Sequence, residues 1–121
     1  MSELILIIED QEDNRRIMRD LLTSAGYKVV EAVTGESGVM SAEAHCPDLI
    51  LMDIQLPDFD GYEATRRIKA NPALSSIPVI AVTSYALSGD DVKAYEAGCD
   101  AYVSKPYSPR KLLAKIRKFF A

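Results

Sequence analysis

The sequence predicts an α/β protein in which a five-stranded parallel sheet carries helices on both faces. Two observations support this. Short runs rich in Val, Ile and Leu alternate five times with segments of helical periodicity, the pattern of parallel strands joined by crossover helices. The runs are also apolar at nearly every position, as strands covered on two sides must be. A third observation concerns the residues at their carboxyl ends. Glu9-Asp10, Asp53, Thr83 and Lys105-Pro106 each stand directly behind an apolar run. Neighbouring parallel strands would bring all of them to one carboxyl edge, where open α/β sheets bind ligands.

The elements are predicted in order. Strands are expected at Leu4–Ile8, Lys28–Ala32, Asp48–Met52, Pro78–Val82 and Ala101–Val103. The first helix, Asn14–Ala25, places Ile17, Met18, Leu21 and Leu22 on one face, and Gly26 supplies its left-handed stop. Glu36–Ala44 is a weaker helix with Val39 and Met40 inward. Gly61–Ala70 turns Ala64 and Ile68 inward and ends at Asn71-Pro72, because a residue preceding proline is steered away from helix. Asp90–Ala97 takes Ser88 as its cap and Gly98 as its stop. Ser108–Phe120 opens with Ser108 at the cap and Pro109 in the first helical position. Linkers, repeats and low-complexity segments are absent from the sequence, so one domain over 1–121 is expected.

Composition sets the broad class. A chain of 121 residues, 48% hydrophobic and 26% charged, can bury a core without staples. Its net charge of −4 argues against a nucleic-acid surface. Between Lys105 and the C-terminus there are six basic residues and no acid, which reads as a solvated helix face or a partner-binding one. Cys46 and Cys99 have no metal-ligand spacing and suggest reduced thiols. No signal peptide or membrane-length apolar run is present, so the expected location is cytoplasmic, with no membrane partner.

Asp53 is the central candidate. At the end of a buried strand, before a loop with Pro57 and Gly61, its carboxylate is rigidly placed and open to ligand. Carboxylates can attack phosphoryl groups to give an aspartyl phosphate. Anion then meets anion, so charge must be neutralised. Glu9 and Asp10 suit Mg²⁺, which prefers oxygen ligands. Lys105 adds a point charge for phosphate oxygens and Thr83 a hydroxyl. Without metal, three carboxylates should raise one another's pKa values.

The segments IIEDQ, LILMDIQLPDFDGYE, PVIAVTSYA and AGCDAYVSKPYS together resemble the receiver domain of two-component response regulators, along the full length of a CheY-like domain. Within that family the chain is most similar to stand-alone regulators and to receivers of hybrid histidine kinases. The resemblance implies a flavodoxin-like (βα)5 fold, doubly wound, with strand order 2-1-3-4-5. It implies phosphorylation at Asp53 and a metal held by Glu9, Asp10, Asp53 and the backbone carbonyl of Gln55. Mg²⁺ is the implied ion, with Mn²⁺ able to substitute. Thr83 is implied to sense the phosphate, Tyr102 to act as aromatic switch, and the Lys105–Pro106 peptide bond to be cis.

The chain would then be a signalling domain without an output domain, catalysing only its own phosphorylation and dephosphorylation. Its implied partners are a histidine kinase or histidine phosphotransfer protein, and a target on the face of the fourth helix, fifth strand and fifth helix. It would be a monomer or a phosphorylation-dependent dimer. Asn14, Arg15, the Ile17–Met18 edge and the loop from Pro106 to Pro109 are expected to receive the donor. Gln55 and Tyr85 are expected to flank the path of an attacking water and prolong the phosphorylated state.

Other classes fit less well. A haloacid dehalogenase-type phosphatase needs an acid two residues beyond the nucleophile, and Gln55 stands there. A flavin binder needs a phosphate-cradling first loop, whereas Gln11-Glu12-Asp13 would repel phosphate.

Overall fold

The fold was obtained as a computed structural model that describes residues 3–83 and 90–120. Its strands are β1 (Leu4–Ile8), β2 (Lys28–Ala32), β3 (Leu49–Asp53), β4 (Val79–Thr83) and β5 (Ala101–Ser104). They form one parallel sheet in the order β2-β1-β3-β4-β5. The helices are α1 (Glu12–Ser24), α2 (Gly35–His45), α3 (Gly61–Ala70), α4 (Asp90–Ala97) and α5 (Pro109–Phe119).

The continuous apolar runs resolve into two cores, because successive strand residues point to opposite faces. Ile5, Ile7, Leu49, Leu51, Ile80 and Val82 pack against Met18 and Leu22 of α1 and Leu112 and Ile116 of α5. Leu6, Ile8, Ile50, Met52, Val79 and Ala81 pack on the other side, against Ala42 of α2, Ala64 and Ile68 of α3, and Ala94 of α4. With both faces covered, the functional groups are left at the strand ends.

Helix ends follow their local chemistry. Gly26 and Gly98 have φ of +95° and +108°, a conformation that costs other residues more. Ser108 caps α5, its hydroxyl accepting from Lys111 N, with Pro109 first in the helix. Asp60 caps α3 through Glu63 N, and Asn71 is extended before Pro72. Thr34 and Ser37 form a capping box that starts α2 at Gly35, one residue earlier than predicted.

Several expectations are corrected. β3 and β4 each run one residue further than predicted, so Asp53 and Thr83 are the last ladder residues of their strands. Ile17 and Met40, predicted inward, are 54% and 62% exposed. In α1 the buried stripe is carried by Met18 and Leu22, and a stripe this narrow leaves Ile17 outside. In α2 the sheet is met by Gly38 and Ala42; a Cβ on Gly38 would lie 2.5 Å from Ile8 Cδ1. That contact leaves no room for a side chain as large as methionine beneath the helix. Ser88, the expected cap of α4, and Tyr85 lie outside the described residues.

Candidate functional site

The carboxyl edge brings Glu9, Asp10, Asp53, Thr83 and Lys105 to one end of the sheet. Glu9 and Thr83 are 0% and 1% exposed, and Asp53 is 3% exposed. Oxygens of Glu9, Asp10 and Asp53 all lie within 4.8 Å of one another. Lys105 Nζ is 2.9 Å from Glu9 Oε1 and 3.8 Å from Asp53 Oδ1. A cavity of about 330 Å³ opens here, lined by Asp10, Gln11, Asn14, Asp53, Gln55 and Lys105.

Backbone contacts set these positions. Lys105 N donates to Thr83 O at 2.6 Å, tying the ends of β4 and β5, and the Lys105–Pro106 peptide bond is cis. Gln55 N donates to Asp53 Oδ1 at 3.3 Å. Gly61 N donates to Ile54 O at 2.8 Å, folding the loop back on the strand end. A Cβ at Gly61 would collide with the Asp53 carbonyl oxygen, so only glycine admits this approach. Tyr102 is half-buried and packs against the core cluster that includes Ala81.

The electrostatics are unbalanced. Burial, then the neighbouring Glu9, pushes the Asp53 carboxyl up from its ordinary 3.8 to about 7. Burial also works to raise Glu9, but hydrogen bonds from Lys105 and Asp53 and from the Gln11 amide outweigh it and hold Glu9 below its ordinary value. The expectation that all three acids rise together is therefore corrected for Glu9. Lys105 sits nearer to Glu9 than to Asp53, so its charge favours ionisation of Glu9 over that of Asp53. One lysine thus faces three carboxylates. An oxygen-only donor set with surplus negative charge fits a hard divalent cation such as Mg²⁺.

Two residues near the site have positions not anticipated from the sequence. Arg15, expected to be exposed for docking, has a side chain only 17% exposed. Its guanidinium donates to the carbonyls of Glu9 and Asp10 and pairs with Glu31. Asp58, in the loop after Asp53, accepts from the amides of Gly35 and Glu36 at 2.8 and 2.9 Å. Partial desolvation opposes ionisation of Asp58, but those amides outweigh it and hold the carboxyl below the ordinary carboxylate range. The loop is thereby fastened to the start of α2, where Phe59 also packs on Gly35 and under the Arg67 guanidinium.

Comparison with known proteins agrees with this geometry. Residues 5–117 match the response regulator receiver domain, and the chain belongs to that family. It is 41% identical over 119 residues to the polar-differentiation response regulator DivK of Brucella ovis, covering 98% of this chain and 97% of that protein. The receiver domain of a sensor histidine kinase from Pseudomonas aeruginosa is 37% identical and superposes with a TM-score of 0.91, covering 98% of both chains. That structure has a magnesium ion coordinated in its active-site cleft. A CheY-like receiver domain protein from Methanospirillum hungatei is 35% identical, with a TM-score of 0.88 over 98% of this chain and 93% of that one. The chain is thus a receiver domain of two-component signalling. Among its described residues, no helix is long and apolar enough to cross a membrane.

Proposed function

We propose that this receiver, with the domain spanning 1–121, accepts a phosphoryl group on Asp53 and changes partner binding through Thr83 and Tyr102. The donor is phosphohistidine on a histidine kinase or phosphotransfer protein. The observation that carries this reading is Asp53 itself, 3% exposed at the end of β3, with Lys105 Nζ 3.8 Å away and two further carboxylates beside it.

Deprotonated Asp53 attacks phosphorus through a carboxylate oxygen. The P–O bond forms as the P–N bond to imidazole breaks, and the imidazole leaves with the bonding pair. Lys105 and the Thr83 hydroxyl are the donors for the oxygens of the transferred group. Glu9, Asp10, Asp53 and the Gln55 carbonyl are the proposed ligands of Mg²⁺, with Mn²⁺ substituting. Held by these groups, such an ion would supply charge neutralisation for the attack of one anion on another. Hydrolysis of the acyl phosphate returns the domain to its starting state, so its only chemistry is on itself.

The donor is proposed to dock where α1 meets the chain after β5. A groove of about 450 Å³ runs there past Asn14, Ile17, Met18, Pro106, Tyr107 and Pro109. The output surface is proposed to be α4, β5 and α5, the protein acting in the cytoplasm as a monomer or as a dimer on phosphorylation.

The test is transfer of labelled phosphoryl from a phosphorylated histidine kinase. Label is expected on this chain with Mg²⁺ or Mn²⁺ and lost with chelator, in an alkali-labile acyl linkage. Transfer that persists in chelator, or an alkali-stable product, rejects the reading.

A further inference from the structure

The acidic pair is held from behind by a closed ring of contacts. Glu9 N donates to Ala32 O at 3.0 Å. The Glu9 carbonyl accepts from Arg15 Nη1 at 3.0 Å, and the Asp10 carbonyl from the same nitrogen at 3.4 Å. Arg15 Nε then donates to Glu31 Oε1 at 3.1 Å. Glu31 precedes Ala32 in β2, and Ile7 and Ile8 lie in register with these two residues. Arg19 donates to both oxygens of Glu31 at 3.2 Å, bracing it from the next turn of α1. The Arg15 side chain is 17% exposed and its bonds to the two carbonyls are part-buried, whereas the bond to Glu31 lies at the surface.

We propose that Arg15, braced by Glu31, is a positioning residue that fixes the backbone of Glu9 and Asp10 so that their carboxylates are preorganised for a divalent cation. The inference rests on the reading of those acids as metal ligands. Two successive carbonyls converge on one guanidinium, so the turn after β1 cannot relax without breaking a charge-assisted bond. Lysine carries the same charge but not the planar fork that reaches Glu31 and the two carbonyls together.

Charge alone makes the opposite prediction. Removing a cation from beside an acidic pocket should favour Mg²⁺, whereas loss of positioning should weaken it. Arg15→Lys separates the two, since it keeps the charge and removes the fork.

The experiment is a Mg²⁺ titration of the whole chain, read by NMR shifts of the Asp10, Gln11 and Gln55 amides. In parallel, the rate of phosphorylation by a small phosphodonor is measured against Mg²⁺ concentration. Arg15→Lys is expected to raise the half-saturating Mg²⁺ by about tenfold, the usual scale for losing a group that orients a ligand. The plateau rate should stay near wild type. Glu31→Gln should move half-saturation in the same direction, and Arg16→Ala, which loses only an exposed pair with Asp13, should not. Arg15→Ala should weaken binding rather than tighten it; if it does not fold, the Lys and Gln variants decide.

Half-saturation at the wild-type value in Arg15→Lys overturns the inference, as does a fall in plateau rate alone. Wild-type protein whose amides ignore Mg²⁺ would instead reject the underlying assignment of the acidic pair.

Discussion

Asp53→Asn is expected to make the metal-free protein more stable at pH 8, although it removes the central functional group. The wild-type Asp53 carboxyl titrates at about 7 in the folded chain, against an ordinary 3.8. Between those values the folded state holds a proton that the unfolded state has released. Stability therefore falls as pH rises from about 4 to about 7 and is lowest above it. The accumulated cost is on the order of a few kcal/mol, at roughly 1.4 kcal/mol for each tenfold change in proton affinity. Glu9 works in the opposite sense over a lower window. Its depressed carboxyl contributes stability above its ordinary 4.5 that is lost on further acidification. Urea denaturation in chelator should show Asp53→Asn and wild type converging near pH 4, separating up to about pH 7 and levelling off by pH 8. Added Mg²⁺ should narrow the gap at pH 8 by stabilising wild type. A variant less stable than wild type at pH 8 in chelator would show that the carboxylates do not oppose folding.

Thr83→Ala is expected to accept phosphate and fail to transmit it. Thr83 closes β4 with its backbone carbonyl bonded to Lys105 N, and its neighbour in register is Ser104, two residues beyond Tyr102. On the proposed switch, an acyl phosphate at Asp53 would offer the hydroxyl a new acceptor, and inward movement of Thr83 would make space beside β5 for the Tyr102 ring. That ring is already half-buried against the core, so its further gain is less than the roughly 1.5–3 kcal/mol of burying a whole large side chain. A gain of about 1.4 kcal/mol still shifts a two-state surface by tenfold. Phosphorylation should therefore move the NMR signals of Tyr102 and Lys111 in wild type and leave them largely unmoved in Thr83→Ala. Equal responses in the two proteins would break the proposed link.

Much of the architecture was legible because the signals are local. The apolar runs gave the strands, and Gly26, Gly98, Ser108 and Pro109 marked helix ends through backbone conformations or caps that few other residues supply. The grouping of Glu9, Asp10, Asp53, Thr83 and Lys105 could be read because each stands at or just beyond the end of its run, so parallel pairing alone gathers them. Features that could not be read depend on register and distance. The Arg15–Glu31 bond needs β2 placed beside β1 before it can be recognised, since sixteen residues separate the partners. Asp58 looks in the sequence like one more acid in a polar loop, and its role as a cap on α2 appears only when that helix start lies against the loop. Met40 is hydrophobic without being buried, because the close approach of Gly38 and Ala42 to the sheet leaves larger side chains outside.

Asp53 as the phosphoacceptor is the central claim, and intact mass spectrometry tests it most directly. Wild type and Asp53→Asn are each incubated with a small phosphodonor and Mg²⁺, then weighed. Wild type should gain the mass of one phosphoryl group, and Asp53→Asn should gain none. An Asp53→Asn protein that still gains that mass under the same conditions would contradict the claim.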